Sequence, residues 1–267
     1  MLFRSLRRIL FGAVRQLAGQ SAAFKDILAP GQIPGSLSIE PGQIHGIIGP
    51  NGAGKTTIFN VISGVYTTDS GQIILNGKDI TNLSQHLIAR EGISRTFQNI
   101  RLFKGLTVRE NVMCAFDPQS KYGIVGALFP TPKRFSEEKR GRELCDKILK
   151  KVNLYEYADE KPENLSYGIQ RRLEIARALM TNPKILLLDE PAAGLNPTEV
   201  ADLTDLIKQL STEFNLAIIL IEHRLELVMS ISDIVFVQNF GKTICVGLPK
   251  EVQNNPDVIE AYIGKEE

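Results

Sequence analysis

The chain has 267 residues, 43% of them hydrophobic, enough to bury one large core or a core with a satellite lobe. Its 31 Lys and Arg against 30 Asp and Glu leave a net charge of +1, which argues against a general nucleic-acid binder, and no stretch approaches the ~18 consecutive apolar residues of a membrane span. The three cysteines, Cys114, Cys145 and Cys245, are far apart, lack metal-ligand spacing and suit a reducing cytosol, where they are expected to be buried as small apolar side chains.

Residues 1–35 are set apart by their charge, since no acid precedes Asp26. Leu2, Phe3, Leu6, Ile9, Leu10, Ala13, Val14 and Leu17 recur at helical spacing, with Arg4, Arg7, Arg8 and Arg15 opposite. That is the pattern of a basic amphipathic helix on anionic lipid; a transit peptide and an extension without a role share it. From residue 36 a different organisation begins. Residues 43–48 read as a buried strand, and 56–63 as the helix that follows. Between them Gly49, Pro50, Asn51, Gly52, Ala53, Gly54, Lys55, Thr56 and Thr57 fit the phosphate-loop pattern G-x-x-x-x-G-K-[ST]. Its glycines let backbone N–H groups converge on phosphate oxygens at a helix N-terminus. Lys55 is placed to reach the β- and γ-phosphates of ATP, and the Thr56 hydroxyl to ligand Mg²⁺. Residues 71–77 form a further strand with an Asn-Gly turn, and 92–97 another.

Residues 99–181 change character. Stretches 107–114, 135–152 and 167–180 read as helices, separated after 116 by a proline-rich loop with exposed apolar residues, the composition of a contact surface. In the run Leu165-Ser-Tyr-Gly168, Ser166 is a good N-cap and Gly168 permits close approach of backbone to a ligand, so the helix they open is a second anion site. Strands and helices alternate again from 182 to 247. The four aliphatic residues 185–188 make a strand buried on both faces, so Asp189 and Glu190 emerge at its carboxyl end, where open α/β sheets bind ligands. Asp189 is expected to hold Mg²⁺, and Glu190 to polarise the water that attacks the γ-phosphorus.

The Leu165–Leu179 run resembles the L-S-G-G-Q signature of ATP-binding-cassette (ABC) ATPases. The resemblance implies an α/β P-loop NTPase fold, with a RecA-like mixed-sheet core (36–98 and 182–247), an inserted α-helical subdomain (99–181) and a helical tail (248–267). It implies that the ATP site is completed by a second ABC ATPase subunit, the phosphate loop of one chain facing Ser166 and Gly168 of the other. By the same resemblance Gln98 reaches Mg²⁺ and the attacking water, His223 contacts the γ-phosphate, and 193–196 is the loop that crosses the dimer interface. The runs 95–103, Leu165-Ser-Tyr-Gly168, 189–197 and 255–264 are similar to branched-chain amino-acid transport ATP-binding subunits, the LivG type, including Tyr167 and Asn196 where most ABC proteins have Gly and Asp. That subfamily implies peripheral attachment at the cytoplasmic face of the cell membrane to integral permease subunits, and indirect service to a periplasmic binding protein that delivers leucine, isoleucine, valine or related compounds. No nucleic-acid partner is implied.

Two departures stand out. Ile169 replaces a Gln common in the subfamily. In residues 1–35 the opening strand and adenine-stacking aromatic of the family are expected to be replaced, leaving Phe24 as the nearest aromatic. The alternatives are an ATPase for lipid or lipopolysaccharide export, since such subunits share every motif through Glu190, and a module that holds nucleotide without hydrolysing it because residues 1–35 are atypical.

Overall fold

The computed structural model describes residues 22–25, 37–116 and 132–263 of the protein. The basic helix expected at 2–17 and the proline-rich loop through residue 131 lie outside them. The first strands are β1 (Ala22–Lys25), β2 (Leu37–Ile39) and β3 (Ile44–Ile48); helix α1 (Lys55–Ile62) then leads to the hairpin of β4 (Gln72–Leu75) and β5 (Lys78–Asp79). Asn76 and Gly77 both have positive φ, 50° and 78°, which is why this turn carries an Asn-Gly pair. Helix α2 (Gln85–Glu91) precedes β6 (Ile93–Arg95). Up to the next strand the described residues are helical or irregular, with α3 (Val108–Met113), α4 (Pro132–Lys151) and α5 (Tyr167–Met180). The chain then alternates through β7 (Ile185–Asp189), α6 (Pro197–Glu213), β8 (Ala217–Ile221), α7 (Leu225–Ile231), β9 (Ile234–Asn239) and β10 (Lys242–Gly247). It closes on α8 (Pro249–Gln253) and α9 (Pro256–Ile263).

Six strands form one sheet in the order β10-β9-β3-β8-β7-β6, parallel except for β10. Strands β3, β7 and β8 are buried at every residue, as their unbroken aliphatic runs require of a sheet covered on both faces. Alternate side chains go to opposite sides. Leu186, Leu188, Ile218 and Leu220 pack with Leu173, Ile207 and Leu210 of the helices on one face. Leu187, Ile219 and Ile221 pack with Phe59 and Ile62 of α1 and with Ile39, Ile73 and Leu75 of the second sheet on the other. The parallel strands end together, and their carboxyl ends deliver Gly49, Asp189 with Glu190, and Glu222 with His223 to one rim.

The second sheet has the order β2-β1-β4-β5 and is antiparallel. It corrects the expectation for residues 1–35. A strand is not missing there: β1 lies in the middle of this sheet, Phe24 opposite Leu37 on one side and Ile73 on the other. Helical periodicity ends at Leu17, and the four residues Ala-Ala-Phe-Lys need only be extended to link two strands that already present free edges. The cysteines also differ from expectation. Cys145 is buried, Cys245 partly so, and Cys114 is exposed, because it stands at the C-cap of the short helix α3.

Candidate active site

The phosphate loop is built by glycines whose reasons differ. At Gly49 (φ 150°) a Cβ would stand 2.0 Å from the Gln238 carbonyl oxygen of the neighbouring strand, so only glycine lets the loop leave the sheet there. Gly54 (φ 96°) is the N-cap of α1, and no side chain caps that helix among the described residues. Lys55 is 6% exposed, and its ammonium donates to the carbonyls of Gly49 (2.7 Å) and Pro50 (2.9 Å). Burial pushes its pKa down, while the charge of Glu190 opposes the shift. A buried cation folded back onto its own loop is poised to exchange two neutral carbonyls for phosphate oxygens.

Glu190 is the junction of the rim. Its backbone is left-handed (φ 47°), a conformation that costs a non-glycine residue about 1–3 kcal/mol and marks functional positions. The Glu190 N–H donates to the Ile221 carbonyl at 2.9 Å, which locks the turn. One carboxylate oxygen accepts from Gln98 Nε2 at 2.8 Å and the other lies 3.0 Å from His223 Nε2. Residues 92 and 33 positions away in sequence thus meet on one carboxylate. Asp189, 4% exposed, bonds Arg95 Nη2 at 2.7 Å. Arg95 also reaches Asn60 Oδ1 (2.7 Å) and Ser63 Oγ (3.2 Å) of the α1 segment and lies between the rings of Phe59 and Phe97. Thr56 and Thr57, in the first turn of α1, are exposed.

Ser166 does cap α5, accepting from Ile169 N at 3.4 Å, and is exposed. Gly168 faces α6, where a Cβ would meet Glu199 Oε1 at 2.7 Å. Among the described residues no hydrogen bond connects Ser166 or Gly168 with the phosphate loop. Four charged residues at the rim escaped the reading of the sequence. Arg95 is the partner of Asp189. Glu222, 2% exposed, accepts from Ala192 N (2.6 Å) and His223 N (3.1 Å), so it ties the strand end bearing His223 to the loop after Glu190. Burial pushes its carboxyl pKa up, against the backbone donors that favour the ion. Arg171 and Glu174 form a buried pair in α5. Glu222, directly after the apolar run 216–221, and Glu174, between Leu173 and Ile175, carried a signal, a charge set against apolar residues; Arg95 and Arg171 stand among polar neighbours and carried none.

A family model described as ABC transporter matches residues 34–193, and one described as branched-chain amino acid ATP-binding cassette transporter matches residues 242–267. The chain is 46% identical to the high-affinity branched-chain amino acid transport ATP-binding protein BraF of Pseudomonas aeruginosa over 94% of its length and 98% of that protein's. It is 44% identical to LivG of Escherichia coli, described in the same words, over 92% of this chain and 96% of that one. The solved structure of a nucleotide-free ATP-binding cassette from an ABC transporter superposes with a TM-score of 0.77 at 34% identity, covering 92% of this chain and all of the other. With the phosphate loop, the Asp189-Glu190 strand end and this likeness over nearly the whole length, the chain belongs to the ABC transporter ATPases, in their branched-chain amino-acid ATP-binding branch.

Proposed function

We propose that this subunit hydrolyses ATP at the rim formed by Lys55, Gln98, Asp189, Glu190 and His223, and so powers uptake of branched-chain or related amino acids through separate membrane subunits. The observation that carries the reading is the Glu190 carboxylate, held in a left-handed turn by Ile221 and gripped by Gln98 and His223. A carboxylate so fixed has one free task, to take a proton from water as that water attacks the γ-phosphorus. Nine residues, Gly49 to Thr57, cradle the phosphates, with Lys55 turning from its loop carbonyls to the β- and γ-oxygens. His223 orients the Glu190 carboxylate and meets the γ-phosphate.

The donors around the phosphate loop are the Thr56 hydroxyl, the Gln98 amide oxygen and the Asp189 carboxylate, hard oxygens that suit Mg²⁺ rather than a softer metal. The ion supplies charge neutralisation on the β- and γ-phosphates. Arg95 aims Asp189 through their 2.7 Å ion pair.

Ser166 is exposed, and among the described residues neither it nor Gly168 is hydrogen-bonded to the phosphate loop of its own chain, which supports a head-to-tail pair of cassettes, each signature contacting the γ-phosphate held by the other and residues 193–196 crossing between them. In this reading 36–98 with 182–247 is the nucleotide-binding core, 99–181 the signature subdomain and 248–267 the tail. The matched branched-chain model at 242–267 favours import over lipid or lipopolysaccharide export, and β1, seated within its sheet, removes the ground for a module unable to hydrolyse. No helix of the described residues is long and apolar enough to cross a membrane. The likeness to transport ATP-binding proteins supports permease subunits on other chains, with this subunit at the cytoplasmic face of the membrane. A cavity of about 460 Å³ between core and helices, lined by Arg95, Phe97, Glu174 and Arg177, supports docking of such a subunit where it senses the Gln98 loop.

The test is Mg²⁺-dependent ATP hydrolysis beside Glu190→Gln. The expected result is a loss of turnover of about 10²-fold or more, the scale of a positioned general base. In size-exclusion chromatography the variant is expected to form an ATP-stabilised dimer. Turnover at the parental rate in Glu190→Gln would refute the role.

A further inference from the structure

Arg171 is the largest fully buried side chain among the described residues, and Glu174, three residues on, is 2% exposed. A buried ion pair in a helix is expensive to desolvate and is held only where its remaining donors and acceptors are satisfied. Here they are satisfied by the backbone on both sides of Gln98. Arg171 Nη1 donates to Glu174 (2.7 Å) and to the Phe97 carbonyl (2.8 Å), while Nη2 donates to the Gln98 carbonyl (2.8 Å) and to the Tyr167 hydroxyl (3.1 Å). Glu174 in turn accepts from the Phe97 N–H at 3.4 Å. Of the donors on Arg171 only Nε is without a partner.

The grip falls where the chemistry would feel it. The side chain of Gln98, whose carbonyl Arg171 holds, donates to Glu190. The ring of Tyr167, which Arg171 also holds, lies against Gly194 of the loop after Glu190, with its Cε1 3.1 Å from where a Cβ on Gly194 would be. One guanidinium thus joins the Gln98 loop, the first residue of the signature helix and the 192–196 loop. A planar fork is suited to spanning two successive carbonyls, which a lysine ammonium is not.

We propose that Arg171 and Glu174 are positioning residues for hydrolysis, setting the place of Gln98, and through it the Glu190 carboxylate, relative to the signature helix. The proposal rests on the reading of Glu190 as the base. Because Ser166 and Gly168 of this helix serve the partner's nucleotide in that reading, the pair also joins the site a cassette owns to the one it completes.

The experiment compares the full chain with Arg171→Met/Glu174→Leu, which removes both charges at once and leaves an apolar pair able to pack, and with Arg171→Lys, which keeps the charge but loses the fork. Measured are kcat and KM for ATP, the urea midpoint, and amide exchange of residues 97–100. The expected result is a fall in kcat of about 10- to 100-fold, the scale of a small misplacement of a reacting group. KM should stay within about twofold, with faster exchange at the Gln98 loop and a urea midpoint near the parent's. Should the double variant fail to fold, Arg171→Lys carries the decision alone, with the same expected fall in kcat. Parental kcat in either folded variant overturns the proposal. If Glu190→Gln in the same assay retains turnover, it is the base assignment that fails; if that variant is inactive while the pair variants turn over normally, only the positioning role is lost.

Discussion

His45 gives the strand that leads into the phosphate loop a defined sensitivity to acid. It is 2% exposed in the middle of β3, its ring is 5.8 Å from that of Phe236, and neither ring nitrogen finds a hydrogen-bond partner among the described residues. Burial lowers its pKa from 6.5 to about 4, with the Asp233 carboxylate pulling weakly the other way. The imidazole is therefore neutral when folded, and in the unfolded chain it takes up a proton near pH 6.5. Since the folded value is the lower one, the unfolded state binds more protons between the two pKa values. Stability is then lost as pH falls from 6.5 towards 4. At about 1.4 kcal/mol per pKa unit the loss approaches ~3 kcal/mol, of which ~2 kcal/mol has accrued by pH 5. Replacing His45 by Leu removes the proton acceptor and keeps an apolar side chain of similar size. Urea titrations followed by circular dichroism at pH 7 and pH 5 should show the parent losing about 2 kcal/mol more than His45→Leu. All other titrating groups are common to both chains and cancel in that difference. Equal losses in the two proteins would refute the reasoning, because they would mean that His45 is protonated within the fold or titrates alike in both states.

Lys55→Met should abolish the thermal stabilisation by ATP. At a ligand concentration of 100 Kd the parent gains about 2.7 kcal/mol, a rise in Tm of about 5–10 °C for a chain of this size, and a variant whose Tm rises as much under the same conditions would show that Lys55 does not hold the phosphates. Glu222→Gln keeps an oxygen for one backbone N–H but turns an amide NH₂ towards the other, so Ala192 and His223 can no longer both be held. Losing one hydrogen bond to a charged acceptor, worth about 1.5–3 kcal/mol, should lower kcat by about 10-fold or more with KM for ATP little changed. Parental kcat would show that Glu222 is there for packing alone.

Much of the fold was legible because its signals are local. The aliphatic runs at 185–188 and 216–221 have no room for polar residues, and only a strand covered on both faces suits them. The phosphate loop could be read in the same way, since its glycines and its lysine act within nine residues. Residues 1–35 misled the reading for a related reason. Helical periodicity over residues 2–17 said nothing about the four residues of β1, which become a strand because β2 and β4 lie ready on either side. The short hairpin was visible in Asn76-Gly77, whose backbone angles few other pairs adopt without strain.

The amino-acid sequence by itself determined which strand ends carry acids, which loop can cradle phosphates and that Ser166 opens a helix, since each follows from side chains within one turn or one strand of each other. Tertiary structure alone decided that Gln98, Glu190 and His223 share one carboxylate, that Arg95 pairs with Asp189, and that Arg171 grips the Gln98 loop from inside α5. The partners in these contacts lie 33 to 94 residues apart. Nothing in the local chain selects a partner at that distance; the common carboxyl-end rim of the parallel strands does, by bringing the charges together, and at Asp189 and Arg171 burial makes the pairing obligatory.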